Sequence, residues 1–202
     1  MKFGDLKKPF RLGVVADTHV PDRVGALHPD IIPTFKENQV ELIIHAGDIS
    51  SLDVLTELEK VAPVVATKGN RDYWHLNNLP EQTIINVNNN HILINHGQGN
   101  WISYFFDKLP LLLFGYNIKR FQKKFLKNEQ EFDIVIFGHS HVAENQWING
   151  KLYFNPGCAY DSGFDRQGPS IGLLELSNHK VISSKIIKLS PMRWSKGKWN
   201  PI

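Results

Sequence analysis

Residues 134–141 read Ile-Val-Ile-Phe-Gly-His-Ser-His, an apolar run followed at once by two histidines, His139 and His141. Such a run predicts a buried strand, and a strand that ends near Phe137 delivers both imidazoles to one loop. Open α/β sheets place their sites at the carboxyl ends of their strands, and imidazole is the commonest neutral metal ligand. A histidine pair in a loop is more often a solvated turn than a ligand pair, so its meaning depends on partners elsewhere in the chain.

Three earlier apolar runs also end in polar side chains. The predicted strands are 10–16, 40–45 and 64–67, and the side chains that follow them include Asp17, His19, Asp48 and Asn70. Between the strands, residues 31–39 predict a short helix, and Ser50 or Ser51 can cap a second helix. The apolar residues of this second helix recur at a period near 3.6 and predict its buried face: Leu52, Leu55, Leu58 and Val61. This alternation indicates an α/β layer fold with one functional edge.

The later part of the chain predicts hairpins. Turn residues at 88–90, 149–150 and 178 join the predicted strand pairs 83–87 with 91–95, 142–148 with 151–154, and 170–176 with 181–187. We expect a second, largely antiparallel sheet to pack on the first. The predicted fold is a four-layer α/β/β/α sandwich of two mixed sheets flanked by helices.

Length and composition bound the class of protein. The chain has 202 residues, 42% of them hydrophobic and 21% charged, as in an ordinary globule, and we expect one domain over residues 1–189. The excess of 23 Lys and Arg over 20 Asp and Glu is too small to predict specific nucleic-acid binding, but it suits a small anionic substrate. No segment approaches the roughly 20 apolar residues of a membrane span. A lone cysteine, Cys158, is typical of a reducing compartment, so we expect a cytoplasmic protein.

Two stretches stand outside the strand pattern. Residues 99–128 are aromatic and aliphatic and then basic, which predicts a helical insertion. Its two helices would cover a sheet, or they would form a cap or a partner surface, including one for a homo-oligomer. The tail 190–202 is predicted to be irregular, with Trp194, Trp199 and three cations that could bind an anionic surface.

The strand ends together present oxygen and imidazole donors without a thiolate. The seven donors are Asp17, His19, Asp48, Asn70, His96, His139 and His141. Such a set suits Mn²⁺, Fe, Zn²⁺ or Ni²⁺ rather than a structural thiolate zinc site. Seven donors exceed the needs of one metal, whereas a binuclear centre with a bridging carboxylate would use them all. Two divalent ions are therefore the expected cofactors. Mn²⁺ is the ion that we expect first, and the donor set leaves Fe, Zn²⁺ and Ni²⁺ open.

The order of these motifs resembles that of the calcineurin-like metallophosphoesterases, in particular the small bacterial and archaeal phosphodiesterase branch related to the retromer subunit Vps29. The matching motifs lie between Arg11 and about Gly157: Asp17-Thr18-His19, Gly47-Asp48, Gly69-Asn70-Arg71-Asp72, His96-Gly97, Gly138-His139-Ser140-His141 and Asn155-Pro156-Gly157. The resemblance implies a phosphoesterase, with a phosphodiester preferred over a monoester, in which a hydroxide that bridges two metals attacks phosphorus.

The resemblance also implies how the donors divide between the metals. Asp17, His19 and His141 would hold one ion, and Asn70, His96 and His139 would hold the other. Asp48 would bridge them, because a shared carboxylate offsets the repulsion between two cations about 3.5–4 Å apart.

Position 71 departs from the family pattern, which has histidine or often cysteine there. Arg71 stays protonated and is a poor general acid, but with Asn70 it can bind a phosphate. A proton for the leaving group would then come from Asp72, His75 or a metal-bound water. Asp72 could instead orient Arg71 or a ligand histidine.

Four other histidines are expected to lie in the core, at the surface or in turns. His45 is predicted to be a hydrogen-bonded core residue, and His28, His91 and His179 are predicted to lie at the surface or in turns.

The competing hypothesis for the function is a protein-binding scaffold like Vps29, with weak or no catalysis. Filled ligand positions favour the enzyme, and Arg71 favours the scaffold.

Overall fold

The strands of the computed structural model, which describes residues 1–97, 132–163 and 167–202, form two large sheets and a small hairpin. The elements in chain order are β1 (Lys2–Phe3), β2 (Phe10–Val15), α1 (Ile31–Glu37), β3 (Leu42–His45), α2 (Leu52–Glu59), β4 (Val64–Ala66), β5 (Gln82–Val87), β6 (Asn90–Asn95), β7 (Ile134–Ile136), β8 (Glu144–Ile148), β9 (Lys151–Asn155), β10 (Ser170–Ser177), β11 (Lys180–Lys188), β12 (Met192–Ser195) and β13 (Lys198–Pro201).

The first sheet has the strand order β11-β10-β2-β3-β4. Its strands β2, β3 and β4 are parallel, and β10 runs antiparallel to β2. Val15 pairs with His45, and His45 pairs with Ala66. The three parallel strands therefore end at one level, which brings the segments after them to a common edge.

The second sheet has the order β1-β5-β6-β7-β9-β8. Because β6, β7 and β9 are parallel, and the hairpin β10–β11 extends the first sheet instead, the expectation of a largely antiparallel second sheet is wrong. Ile94, Ile136 and Phe154 lie in register on the three strands. Their following segments also share one edge.

The main core lies between the two sheets. Alternate residues of both sheets are buried there, among them Leu12, Val14, Leu42, Ile44, Ile92, Ile94, Ile134, Ile136, Phe154 and Leu174. The opposite face of the first sheet packs against residues of α1 and α2. The sandwich of two mixed sheets is thus confirmed, while the predicted helices and self-association surface of 99–128 lie outside the described residues.

Helix α2 begins as predicted and buries most of its predicted face, because Leu58 is buried and Leu55 and Val61 pack partly buried against the same core. Ser51 is its N-cap, and the Ser51 side chain accepts a hydrogen bond from the backbone N–H of Asp53. Val54 and Leu58, one turn apart, are buried, whereas the side chain of Leu52 is 64% exposed. The helix ends at Glu59 and has eight residues, and its inward side is formed by Val54 and Leu58 with the partly buried Leu55.

The C-terminal tail is a hairpin, so its predicted irregularity is wrong. Trp194 and Trp199 of β12 and β13 meet edge to face at 5.4 Å between ring centroids. The Trp199 indole N–H donates to the carbonyl of Leu27, and its ring lies 5.0 Å from that of His28. This packing also corrects the expectation for His28, which is buried, with Nε2 3.1 Å from the Ser190 carbonyl oxygen. Among the described residues, no helix has the length and apolarity to span a bilayer.

Candidate metal centre

The facing edges of the two sheets carry five ligand candidates in an unusual backbone conformation. A positive φ occurs at Asp17 (53°), His19 (51°), Asp48 (55°), His139 (67°) and His141 (60°). Non-glycine residues rarely adopt this left-handed region, and such residues cluster at functional sites. Backbone bonds from Asp17 N–H to the Gly47 carbonyl, and from His19 N–H to the Asp48 carbonyl, hold the first two loops together. The local backbone thus turns these side chains towards one another.

Two carboxylates lie at the middle of the cluster. Asp17 Oδ1 is 3.4 Å from His141 Nε2 and 3.9 Å from the Nε2 atoms of both His19 and His96. Asp48 directs its oxygens to opposite sides, with Oδ2 3.4 Å from His19 Nε2 and Oδ1 3.4 Å from His96 Nε2. Two groups that could each hold a metal result: Asp17 with His19 and His141, and Asp17 with Asp48 and His96.

Asn70 and His139 lie on the His96 side of the cluster. Asn70 Oδ1 is 3.1 Å from His139 Nδ1, and the His139 and His96 rings are 5.2 Å apart. The His139 backbone N–H donates to Asp17 Oδ2. The structure therefore brings all seven predicted donors to one place, and it adds that Asp17 stands in both groups.

The donor atoms fit divalent metal ions. Asp17 Oδ1, His19 Nε2 and His96 Nε2 are buried without a hydrogen-bond partner in the described part of the chain. Buried polar atoms without partners are costly, and a cation between these atoms would satisfy them together. The His96 Nδ1 atom is 2.7 Å from the Ala46 carbonyl, to which it can donate, and this leaves Nε2 for a metal.

The charges of the cluster also favour a cation. Burial lowers the pKa of His96, but Asp48 and Asp17 outweigh burial and raise this pKa to about 9. Burial raises the pKa of Asp48, yet His96 and His19 hold it well below its usual range. The His96 shift records the negative potential of the two carboxylates, and the Asp48 shift records the attraction between this carboxylate and the histidines around it.

Comparison with known proteins then decides the family. Residues 10–179 match the model of the calcineurin-like phosphoesterase superfamily domain. The chain belongs to this superfamily. The chain is 32% identical to a "probable metallophosphoesterase" of Methanocaldococcus jannaschii, over 88% of this chain and 81% of the relative. It is 30% identical to one of Methanothermobacter thermautotrophicus, over 84% and 88%. A phosphodiesterase of M. jannaschii is 29% identical, over 82% and 92%.

Solved structures share the fold of this chain. Vacuolar protein sorting 29 of Cryptosporidium parvum superposes with a TM-score of 0.69 at 19% identity, over 96% of this chain and 95% of that one. A novel archaeal phosphodiesterase superposes with a TM-score of 0.57 at 23% identity, over 88% and 100%. Both solved structures thus have the same architecture as this chain.

Asp72 holds two site loops rather than facing the candidate metal ligands. Its Oδ1 accepts from the backbone N–H groups of Ile49 (2.9 Å) and Ser50 (2.7 Å), and its Oδ2 accepts from that of Gly69 (2.8 Å). The side chain is fully buried. Burial raises its pKa, and the hydrogen bonds from Gly69 and Ser50 oppose this rise. An acceptor of three backbone N–H bonds is suited to the ionised form and to fixing the segments after β3 and β4.

Arg71 and His75 differ in their relation to the centre. The Arg71 backbone N–H donates to Asp48 Oδ1 at 2.8 Å, and its exposed side chain reaches towards Asp22, with Nε 3.7 Å from Oδ2. His75 is exposed and, among the described residues, makes no hydrogen bond or ion pair with the cluster. Of Arg71, Asp72 and His75, Arg71 alone lies beside the candidate metal ligands with its side chain accessible.

Sequence reasoning missed two neighbours of the centre and anticipated a third. The ring of Tyr160 lies 5.7 Å from that of His19, and burial raises the pKa of its phenol. Asp22 lies 3.4 Å from His19 Nδ1, and its signal in the sequence was a carboxylate three positions after a ligand histidine. His45 is a hydrogen-bonded core residue as expected, with Nε2 3.0 Å from the Thr18 hydroxyl.

Proposed function

We propose that this chain is a two-metal phosphodiesterase of the cytoplasm that prefers Mn²⁺ and acts on a small phosphate ester. One observation carries the proposal: Asp17 Oδ1, His19 Nε2 and His96 Nε2 are buried, unpartnered within the described residues, and directed at one another. The phosphodiesterase named among the relatives supports a diester over a monoester. Two bound divalent ions would supply an activated water and neutralise charge on the phosphoryl oxygens.

Different side chains would hold each of the two ions. Asp17, His19 and His141 would hold one, and Asn70, His96 and His139 the other, with Asp48 between them. The two oxygens of Asp48 face His19 and His96 separately, which supports the bridging role. Asp17 would also contribute to both, because it belongs to both groups.

The chain's own substrate contact would be Arg71, together with Asn70. Its guanidinium is partly exposed, with Nε 3.7 Å from Asp22 Oδ2, and offers parallel N–H donors that match a phosphate. Since the Asp72 oxygens already accept three backbone N–H groups, Asp72 is a poor proton donor. The site therefore favours esters whose leaving group departs without protonation, such as an aryl alcohol.

A metal-titrated hydrolysis assay tests the proposal. Metal-free protein is titrated with Mn²⁺ and given an aryl phosphodiester or an aryl phosphomonoester. We expect metal-dependent hydrolysis that is faster with the diester, abolished in Asp48→Ala, and retained in Asp133→Ala, whose carboxylate is exposed. Folded, Mn²⁺-loaded protein that hydrolyses neither ester would refute the enzyme and favour the protein-binding scaffold.

A variant at position 71 tests the substrate contact. Arg71→Ala should raise KM or lower kcat for the diester about tenfold or more, the scale of a lost charged phosphate contact. An unchanged rate would remove Arg71 from the substrate-binding machinery.

A further inference from the structure

The carboxylate of Asp22 meets three basic groups at the edge of the metal centre. Its Oδ2 lies 3.4 Å from His19 Nδ1, 3.7 Å from Arg71 Nε and 3.8 Å from Arg23 Nε. Asp22 belongs to the loop after β2, whereas Arg71 belongs to the loop after β4. One oxygen therefore connects a candidate metal ligand on one loop with the candidate substrate contact on another.

The His19 ring has a definite orientation between the centre and Asp22. Its Nε2 faces Asp17 and Asp48, and its side chain is only 4% exposed. An imidazole that binds a metal through Nε2 carries its proton on Nδ1, and an acceptor beside Nδ1 fixes the tautomer and the ring. Nδ1 has no well-directed hydrogen bond within the described residues, and Asp22 is the carboxylate within reach. A small rotation of the exposed Asp22 side chain would complete this bond.

Arg71 is held at two points. Its backbone N–H donates to Asp48 Oδ1, and its Nε lies beside Asp22. A contact through Nε leaves the two terminal nitrogens of the guanidinium for a planar anion. Without Asp22, the long Arg71 side chain would lose the anchor that keeps it near the metals.

We propose that Asp22 is a positioning residue that orients His19 towards the metals and holds Arg71 for the substrate phosphate. This inference rests on the proposed function of the same site. A merely structural ion pair on a partly exposed surface contributes about 0–1 kcal/mol to folding, so stability is the wrong readout. Metal affinity, measured without substrate, separates positioning from stabilisation.

The matched control is Asp30, which stands beside a histidine outside the centre. Its Oδ2 lies 3.9 Å from His28 Nδ1, and its side chain is 34% exposed, against 33% for Asp22. Asp22→Ala, Asp30→Ala and Arg71→Ala are titrated with Mn²⁺ by calorimetry. Steady-state kinetics with an aryl phosphodiester follow at saturating Mn²⁺.

Asp22→Ala should lower Mn²⁺ affinity about tenfold or more, the range found when a residue behind a metal ligand is lost. It should also raise KM for the diester. Arg71→Ala should raise KM without changing Mn²⁺ affinity, and Asp30→Ala should change neither. Asp22→Asn, which keeps an acceptor oxygen but no charge, should recover Mn²⁺ affinity more than KM.

Wild-type Mn²⁺ affinity in folded Asp22→Ala would overturn the proposal, as would an equal loss in Asp30→Ala. A variant that fails to fold is replaced by Asp22→Asn, for which unchanged affinity together with unchanged KM overturns it. If the wild type binds Mn²⁺ but hydrolyses no ester, the proposed function fails, and the affinity comparison still decides whether Asp22 positions His19.

Discussion

Replacing Asp72 with asparagine should destabilise the protein strongly, because this carboxylate holds the loops after β3 and β4. Asparagine has the same shape, but one of its two terminal atoms is an amide nitrogen. If the oxygen stays on the N–H groups of Ile49 and Ser50, the amide faces the Gly69 N–H, donor against donor. The variant thus loses one charge-assisted bond, worth roughly 1.5–3 kcal/mol, and weakens two others by about 0.5 kcal/mol each.

The expected loss is therefore about 3 kcal/mol of the free energy of unfolding, or a Tm lower by roughly 6–12 °C for a chain of this size. Urea and thermal unfolding of metal-free protein measure it. The control is Asp133→Asn, because this carboxylate is 56% exposed and accepts one backbone N–H, from His91. Its loss should stay below about 1 kcal/mol. Wild-type stability in Asp72→Asn, with kcat reduced only for poor leaving groups, would refute this reasoning and make Asp72 the proton donor.

Three further outcomes are expected. Burial and the neighbouring His96 lower the pKa of His45 to about 3. Its contribution to stability is therefore complete above about pH 6.5 and is lost as the pH falls towards 3. Between pH 8 and pH 5, the free energy of unfolding measured in urea should fall by about 2 kcal/mol less in His45→Gln than in the wild type. An equal fall in the two proteins would contradict this. Gly69→Ala should abolish Mn²⁺ binding in calorimetry, because a Cβ at this position would overlap the Asp48 backbone nitrogen and carboxylate. Wild-type Mn²⁺ affinity in this variant would contradict the close packing of Gly69 against Asp48. Trp199→Ala should lower the free energy of unfolding by about 2 kcal/mol, because it removes a half-buried ring, and an unchanged Tm would show that the terminal hairpin adds no stability.

The convergence of the candidate ligands was predictable because it depends on short-range sequence and on one rule of sheet geometry. Val15, His45 and Ala66 end parallel strands in register, so polar residues a few positions later meet at one edge. The hairpins were predictable for a similar reason, since Asn88 and Asn149 adopt the positive φ that tight turns require.

The features that sequence reasoning missed depend on contacts between distant segments. His28 is buried because Ser190, 162 positions later, and Trp199 cover it, and no local pattern records this. The share of Asp17 in both metal groups depends on the approach of His96 and His141 from the other sheet. Periodicity and turn chemistry identify elements, but they do not determine which loops meet across the sandwich.

We infer that the facing edges of the two sheets build a site for two divalent ions. The number of Mn²⁺ ions bound per chain, measured by calorimetric titration of metal-free protein, tests it most directly. We expect two ions in the wild type and one in His141→Ala, whose imidazole belongs to a single group. A stoichiometry of one or none in folded wild-type protein would contradict it.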